Sequence, residues 1–108
     1  AAFEQMDNKV EWSPAALDDV DAIASYIARD SEWYASSVVN KILAITRTIP
    51  EYPHLGRKVP EADDATIRER LVYSYRIIYQ VRDEGIVIVA VIHGRRLLEP
   101  VLASRQKM

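Results

Sequence analysis

The sequence predicts an α+β fold: an N-terminal strand and a two-helix hairpin packed on one face of a small antiparallel sheet, in the order β-α-α-β-β-β. Three observations carry this. Apolar residues recur at helical spacing from Leu17 to Ile49, with a break only at Asp30-Ser31. Between residues 66 and 93 the period falls to two, with tight-turn signals at Tyr73-Ser74 and Asp83-Glu84-Gly85. A stretch from Glu51 to Ala65, holding Pro53 and Pro60, a glycine and an acidic cluster and bordered by Pro50, separates the two regimes. At 108 residues the chain can bury one modest core and not two.

Taken in order, Lys9-Val10-Glu11-Trp12 alternates and reads as a short strand. Ser13-Pro14 then marks a helix start, with the hydroxyl as cap and proline in the first turn. Leu17, Val20, Ile23, Ala24 and Ile27 form the apolar stripe of a helix over 14–29, and Asp18 and Asp19 lie near its positive end. A second helix runs to about Ile49, with Val38, Ile42, Ile45 and Ile49 on one stripe, until Pro50 and Pro53 stop it. Joined so tightly, the two should fold back as an antiparallel hairpin. Residues 51–65 read as loop, 66–72 and 75–82 as strands, and IVIVAVIH from Ile86 as the last strand.

That last strand is apolar on both faces: Val87, Val89 and Val91 on one, Ile86, Ile88, Ala90 and Ile92 on the other. One hairpin covers one face. Only Leu97, Leu98, Val101 and Leu102 remain for the second, so either this short segment closes it or a partner chain does. Residues 1–8 are read as a flexible segment or an expression remnant, with Met6 a candidate natural start. A single domain is expected over 9–104, and a tail over 105–108.

Composition narrows the function. With no cysteine there is no disulfide framework or thiolate metal site, which fits a reducing cytoplasm. No apolar run is long enough to span a bilayer, and the acidic N-terminus is unlike a secretory signal. Residues 1–53 carry four Lys/Arg against nine Asp/Glu, a balance of −5; residues 54–108 carry ten against seven, +3. The net −2 argues against generic nucleic-acid binding, while the arginine-rich second half favours bidentate contacts to carboxylates or phosphates. No phosphate loop or nucleophile elbow is present, and His54 and His93 lack metal-ligand spacing. Neither a metal nor a cofactor is expected.

The candidates for chemistry are therefore arginines. In YRIIYQV, Tyr75, Ile77, Tyr79 and Val81 share one face, and Arg76, Ile78 and Gln80 the other. Arg68 and Arg70 in the preceding strand, together with Arg76, Arg95 and Arg96, are expected to converge on one side of the sheet. The competing expectation is that Arg68 and Arg70 pair with Glu69 or with the Glu61, Asp63 and Asp64 loop as ordinary surface charges. His93, in VIHGRR at residues 91–96, ends the strand and is read as structural before catalytic.

Strand, helical hairpin, GRKVPE, IRER, YRIIYQV and a turn into IVIVAVIHGRR, in that order, resemble the RelE/ParE superfamily of type II toxin–antitoxin toxins. The resemblance spans about Val10 to Arg96. It implies an antitoxin of the ParD or RelB kind that wraps the toxin and would cover an open apolar face. GR.VPE and HGRR are closer to the ParE branch, which inhibits DNA gyrase by binding. On that reading Arg57, Lys58, Arg68, Arg70, Arg76, His93, Arg95 and Arg96 are candidates for target or antitoxin contact. The alternative is the RelE branch, which cuts messenger RNA on the ribosome without a metal. That chemistry would fall to Arg76 and Arg96, with His93 as a substitute proton carrier. The RelE-branch tyrosine would fall near Leu102, yet no Tyr, Phe or Trp follows Tyr79. A third reading is an inert member that only binds its antitoxin. If Arg76 meets the target, Arg76→Ala should abolish toxicity and spare the fold.

Overall fold

In a computed structural model, which describes residues 9–105, the elements are β1 (Lys9–Trp12), α1 (Pro14–Ala28), α2 (Glu32–Thr48), β2 (Arg57–Lys58), β3 (Ile67–Val72), β4 (Tyr75–Arg82), β5 (Gly85–His93) and α3 (Glu99–Arg105). The expectations for residues 1–8 and for the tail beyond 105 lie outside the described residues. The last described helix includes Arg105, which the sequence assigned to the tail.

Both helix starts follow from their caps. Ser13 Oγ accepts the Ala16 N–H at 3.1 Å, and Ser31 Oγ accepts the Tyr34 N–H at 3.0 Å. Pro50 ends α2 in a single 3₁₀ turn, Ile49–Glu51.

The sheet runs β1-β5-β4-β3-β2. It is mixed, where the sequence suggested an antiparallel one: β1 lies parallel to β5, with Trp12 opposite Ile88. The expected loop also yields a two-residue edge strand, antiparallel to β3.

The helical hairpin covers one face. Val20, Val38 and Ile42 pack there against Ile77, Tyr79, Ile86, Ile88 and Val91. Each fully buried aliphatic side chain of this kind contributes roughly 1.5–3 kcal/mol. Leu17, assigned from the sequence to the buried stripe, is instead exposed, and Ala16 takes the inward position.

The second face is not left for a partner. Leu98, Val101 and Leu102 of the C-terminal segment seal it against Val59, Ile67, Ile78, Ala90 and Ile92. The doubly apolar appearance of β5 has a further cause. Ile78 pairs with Ala90 but Tyr79 with Ile88, so Val89 is an extra residue in a β-bulge. The bulge shifts the alternation by one. Ile86 and Ile88 before it, and Val91 after it, face the hairpin; Ala90 and Ile92 face α3. The four residues read as one face are divided between two cores.

At the bulge, β5 has lost β1 as a neighbour and would present a bare edge. Asp19 accepts the Val91 N–H at 2.9 Å, and Arg105 donates to the Val89 carbonyl at 3.1 Å. The two side chains are themselves paired, at 2.5 and 2.9 Å. Asp19 thus serves the strand edge and α3, beyond any interaction with its own helix dipole.

Candidate functional site

The strand register separates the arginines that the sequence grouped. Arg68 lies opposite Tyr79 and Arg70 opposite Ile77, both on the hairpin face; Lys58 pairs with Arg68 and shares it. Arg76 lies opposite Leu71 and Ile92, on the α3 face. The expected convergence of Arg68 and Arg70 with Arg76 is therefore not found. Arg70 sits opposite the residue next to Arg76 and Arg68 opposite the residue three along; both offsets are odd, which puts them on the other side of the sheet.

Nor do Arg68 and Arg70 take the acidic partners expected of them. Arg68 Nη1 donates to the His54 and Gly56 carbonyls, each at 3.0 Å. Tyr79 Oη donates to the Pro53 carbonyl at 2.6 Å, so strand residues tie down the proline-rich loop from the hairpin face. Gly56 makes this approach possible. A Cβ there would lie 2.6 Å from the Glu69 carbonyl oxygen and closer still to Tyr79 Oη.

The acidic partners belong to Arg76 and Arg57. Arg76 Nε donates to Glu69 at 2.5 Å, and its two terminal nitrogens donate to the two oxygens of Glu61, each at 2.9 Å. The Glu69 side chain is fully buried and also accepts from Arg57 Nε. Glu61 holds Arg76 more firmly protonated than usual, with help from Glu69 and against the cost of burial. Reciprocally, the Arg76 hydrogen bonds hold the Glu61 carboxyl below its ordinary range, against the opposing effect of burial. Two guanidiniums and two carboxylates sum to zero, so this chain of charges adds no net positive field. GRKVPE supplies two of its members.

At the end of the sheet the β3–β4 turn and the end of β5 border a cleft of about 400 Å³. Arg57, Arg76, His93 and Arg95 line it, together with Tyr73 and Tyr75. Arg96 lines an adjoining hollow with His93, Tyr75 and Tyr26. The His93 ring meets Tyr75 edge to face, with centroids 5.6 Å apart. The Arg95 N–H donates to His93 Nδ1 at 3.1 Å, and the Arg96 N–H to the His93 carbonyl at 3.0 Å. In the neutral ring this leaves the proton on Nε2. The turn is held to the β3–β4 turn by Gly94 N–H, which donates to the Ser74 carbonyl at 2.7 Å. Among the described residues, neither Arg95 nor Arg96 has a carboxylate partner.

The tyrosines were missed as site residues, because only the topology brings them here. Since β1 runs parallel to β5, α1 leaves Trp12 travelling in the direction of β5 from Ile88. Thirteen residues of helix advance roughly 20 Å, and five of strand roughly 17 Å. Tyr26 consequently arrives level with His93. An end with two uncommitted arginines, an imidazole and phenols can bind a carboxylate or a phosphate. No group of three or more metal-ligating side chains occurs among the described residues. No helix among them is long and apolar enough to cross a membrane.

A helical hairpin on a five-stranded sheet of this order is a RelE/ParE-like fold, and the family match makes the chain a toxin of that superfamily, from type II toxin–antitoxin systems. Residues 10–98 match the family described as the ParE toxin of the type II toxin–antitoxin system parDE, and the chain belongs to that family. It is 34% identical over 90 residues to Toxin RelE2 of Caulobacter vibrioides, covering 82% of this chain and 98% of that protein. Two solved structures share the fold at 18% identity. A chain of the chromosomal ParDE system of P. aeruginosa aligns with a TM-score of 0.66, covering 79% of this chain and 94% of that one. A mutant of the E. coli toxin RelE in the free state aligns with a TM-score of 0.64, covering 94% and 97%.

Proposed function

We propose that this toxin acts as a ParE-like inhibitor of DNA gyrase, by binding and without chemistry of its own, and that an antitoxin of the ParD or RelB kind neutralises it. The commitment of Arg76 carries the reading against catalysis. A phosphorane needs a cation whose charge is available as the transition state forms. Arg76 is instead buried between Glu61 and Glu69, and its Nε and both terminal nitrogens already donate to them. Membership of the ParE toxin family, and the fold shared with a chain of a ParDE system, support the partner assignment.

Two observations favour the RelE-like endoribonuclease as the second reading. His93 offers an Nε2 proton beside Arg95 and Arg96, and a 34% identical relative bears the RelE name. Purified protein in a gyrase supercoiling reaction and in a reconstituted translation reaction separates the two. Lost supercoiling with intact message is expected. Cut message with undisturbed supercoiling would replace the first reading with the second.

A further inference from the structure

The end of the molecule that holds His93 also gathers aromatic side chains, of which Tyr26 and Tyr73 stand largely exposed while Tyr75 packs in part against the first core. Tyr26 is 68% exposed and Tyr73 61%. Tyr75 lies between the cleft and the hollow. Its hydroxyl is pushed up by burial and then by the phenols of Tyr34 and Tyr26. Arg29 stacks over the Tyr26 ring at 5.6 Å. Trp33 stands exposed at the same bend of the hairpin.

Tyr73 adds an independent observation. It has φ 54°, a left-handed conformation in which a bulky side chain is strained and glycine is at ease. Its ring is mostly exposed, so little packing offsets that strain. A large aromatic side chain held in a costly turn conformation and presented to solvent points to a use outside the fold.

We infer that the surface formed by Tyr26, Tyr73, Tyr75, His93, Arg95 and Arg96 docks a protein partner that presents carboxylates among apolar side chains, and that this surface is where the toxin meets its target. The inference rests on the gyrase reading above. Tyrosine and arginine are the side chains that dominate binding energy at protein interfaces. Arg95 and Arg96 supply the charge that a carboxylate would complement. A single-stranded nucleic acid could also stack on tyrosines. Against it, a phosphate backbone needs a run of cations, whereas the hollow holds Asp19 beside Arg96 and the Arg57–Glu69–Arg76–Glu61 chain in the cleft sums to zero; a protein partner needs only one or two carboxylates for Arg95 and Arg96 and apolar side chains for the tyrosines.

The test uses the full chain and the variants Tyr73→Gly, Tyr26→Ala and Arg96→Glu. Binding is measured to immobilised gyrase holoenzyme and, separately, to a single-stranded RNA of about 20 nucleotides, long enough to span a stacking surface of this kind. Each variant should lose more than about tenfold in gyrase affinity, as interface hot spots do, without a fall in thermal midpoint. Tyr73→Gly should melt higher than the wild type while binding more weakly, a combination that a merely structural tyrosine would not give. If the wild type binds gyrase and the variants bind equally well, the docking surface is wrong and the gyrase reading stands. If the wild type binds RNA but not gyrase, and the variants lose that binding, the surface serves nucleic acid and both fall. A wild type that binds neither probe also overturns both.

Discussion

At the scale of single residues, Arg76 decides how the site is understood. Its position in the middle strand made it the leading candidate for target contact, yet its guanidinium is enclosed by Glu61 and Glu69. Removing one partner of a buried pair strands the other charge, at a cost of about 3–5 kcal/mol. Arg76→Ala should therefore lower stability by that amount in a urea titration. A variant as stable as the wild type would mean that the network is ornamental and Arg76 is free to act outside the fold. The same network makes a pH prediction. Because the folded pKa of Glu61 is depressed below its ordinary 4.5, its contribution is complete above that value and is lost as pH falls through the folded pKa. Thermal midpoints taken downward from neutral pH should drop once pH passes below 4.5, and Glu61→Gln should flatten part of that drop. Parallel curves for the two proteins would count against it.

At the scale of elements, α3 is the part whose role the sequence left open. Seven residues do not make a stable helix in water, so it persists through its contacts. Those are Leu98, Val101 and Leu102 on the second face, and the Arg105–Asp19 pair at the bulge. Leu102→Ala should cost about 2–5 kcal/mol and raise binding of a hydrophobic dye, because Ile78 and Ile92 lose their cover. Unchanged dye binding would show that α3 holds without this anchor. The helices and the β3–β4 and β4–β5 hairpins were legible because caps, prolines and turn residues mark them locally. The bulge at Val89 was not: no glycine announces it, and every residue nearby is apolar. Hence Ile86 and Ile88 were grouped with Ala90 and Ile92 on one face, when the displaced alternation sends the first two to the hairpin core and the last two to the α3 core. The parallel pairing of β1 with β5 was equally hidden, since nothing in four residues says which distant strand they will join or in which direction.

At the scale of the whole molecule, the uneven charge distribution has an internal use. Arg57, Arg68, Arg76 and Arg105 bind carboxylates or carbonyls of their own chain, whereas Arg95 and Arg96 at the sheet end have no carboxylate partner among the described residues. The sequence made His93, Arg95 and Arg96 visible as a cluster because they are neighbours in one turn. It could not show that Arg68 and Arg70 face the other way, which depends on strand register, or that Tyr26 joins the cluster, which depends on how far α1 runs beside β5. The claim that unites these observations is that the protein acts by occupying its target. A gyrase supercoiling reaction titrated with toxin, at several enzyme concentrations and incubation times, tests this most directly. The toxin needed for half inhibition should rise in proportion to gyrase and stay constant with time. Inhibition that deepens with time at toxin far below the gyrase concentration would reveal turnover, and would contradict the account.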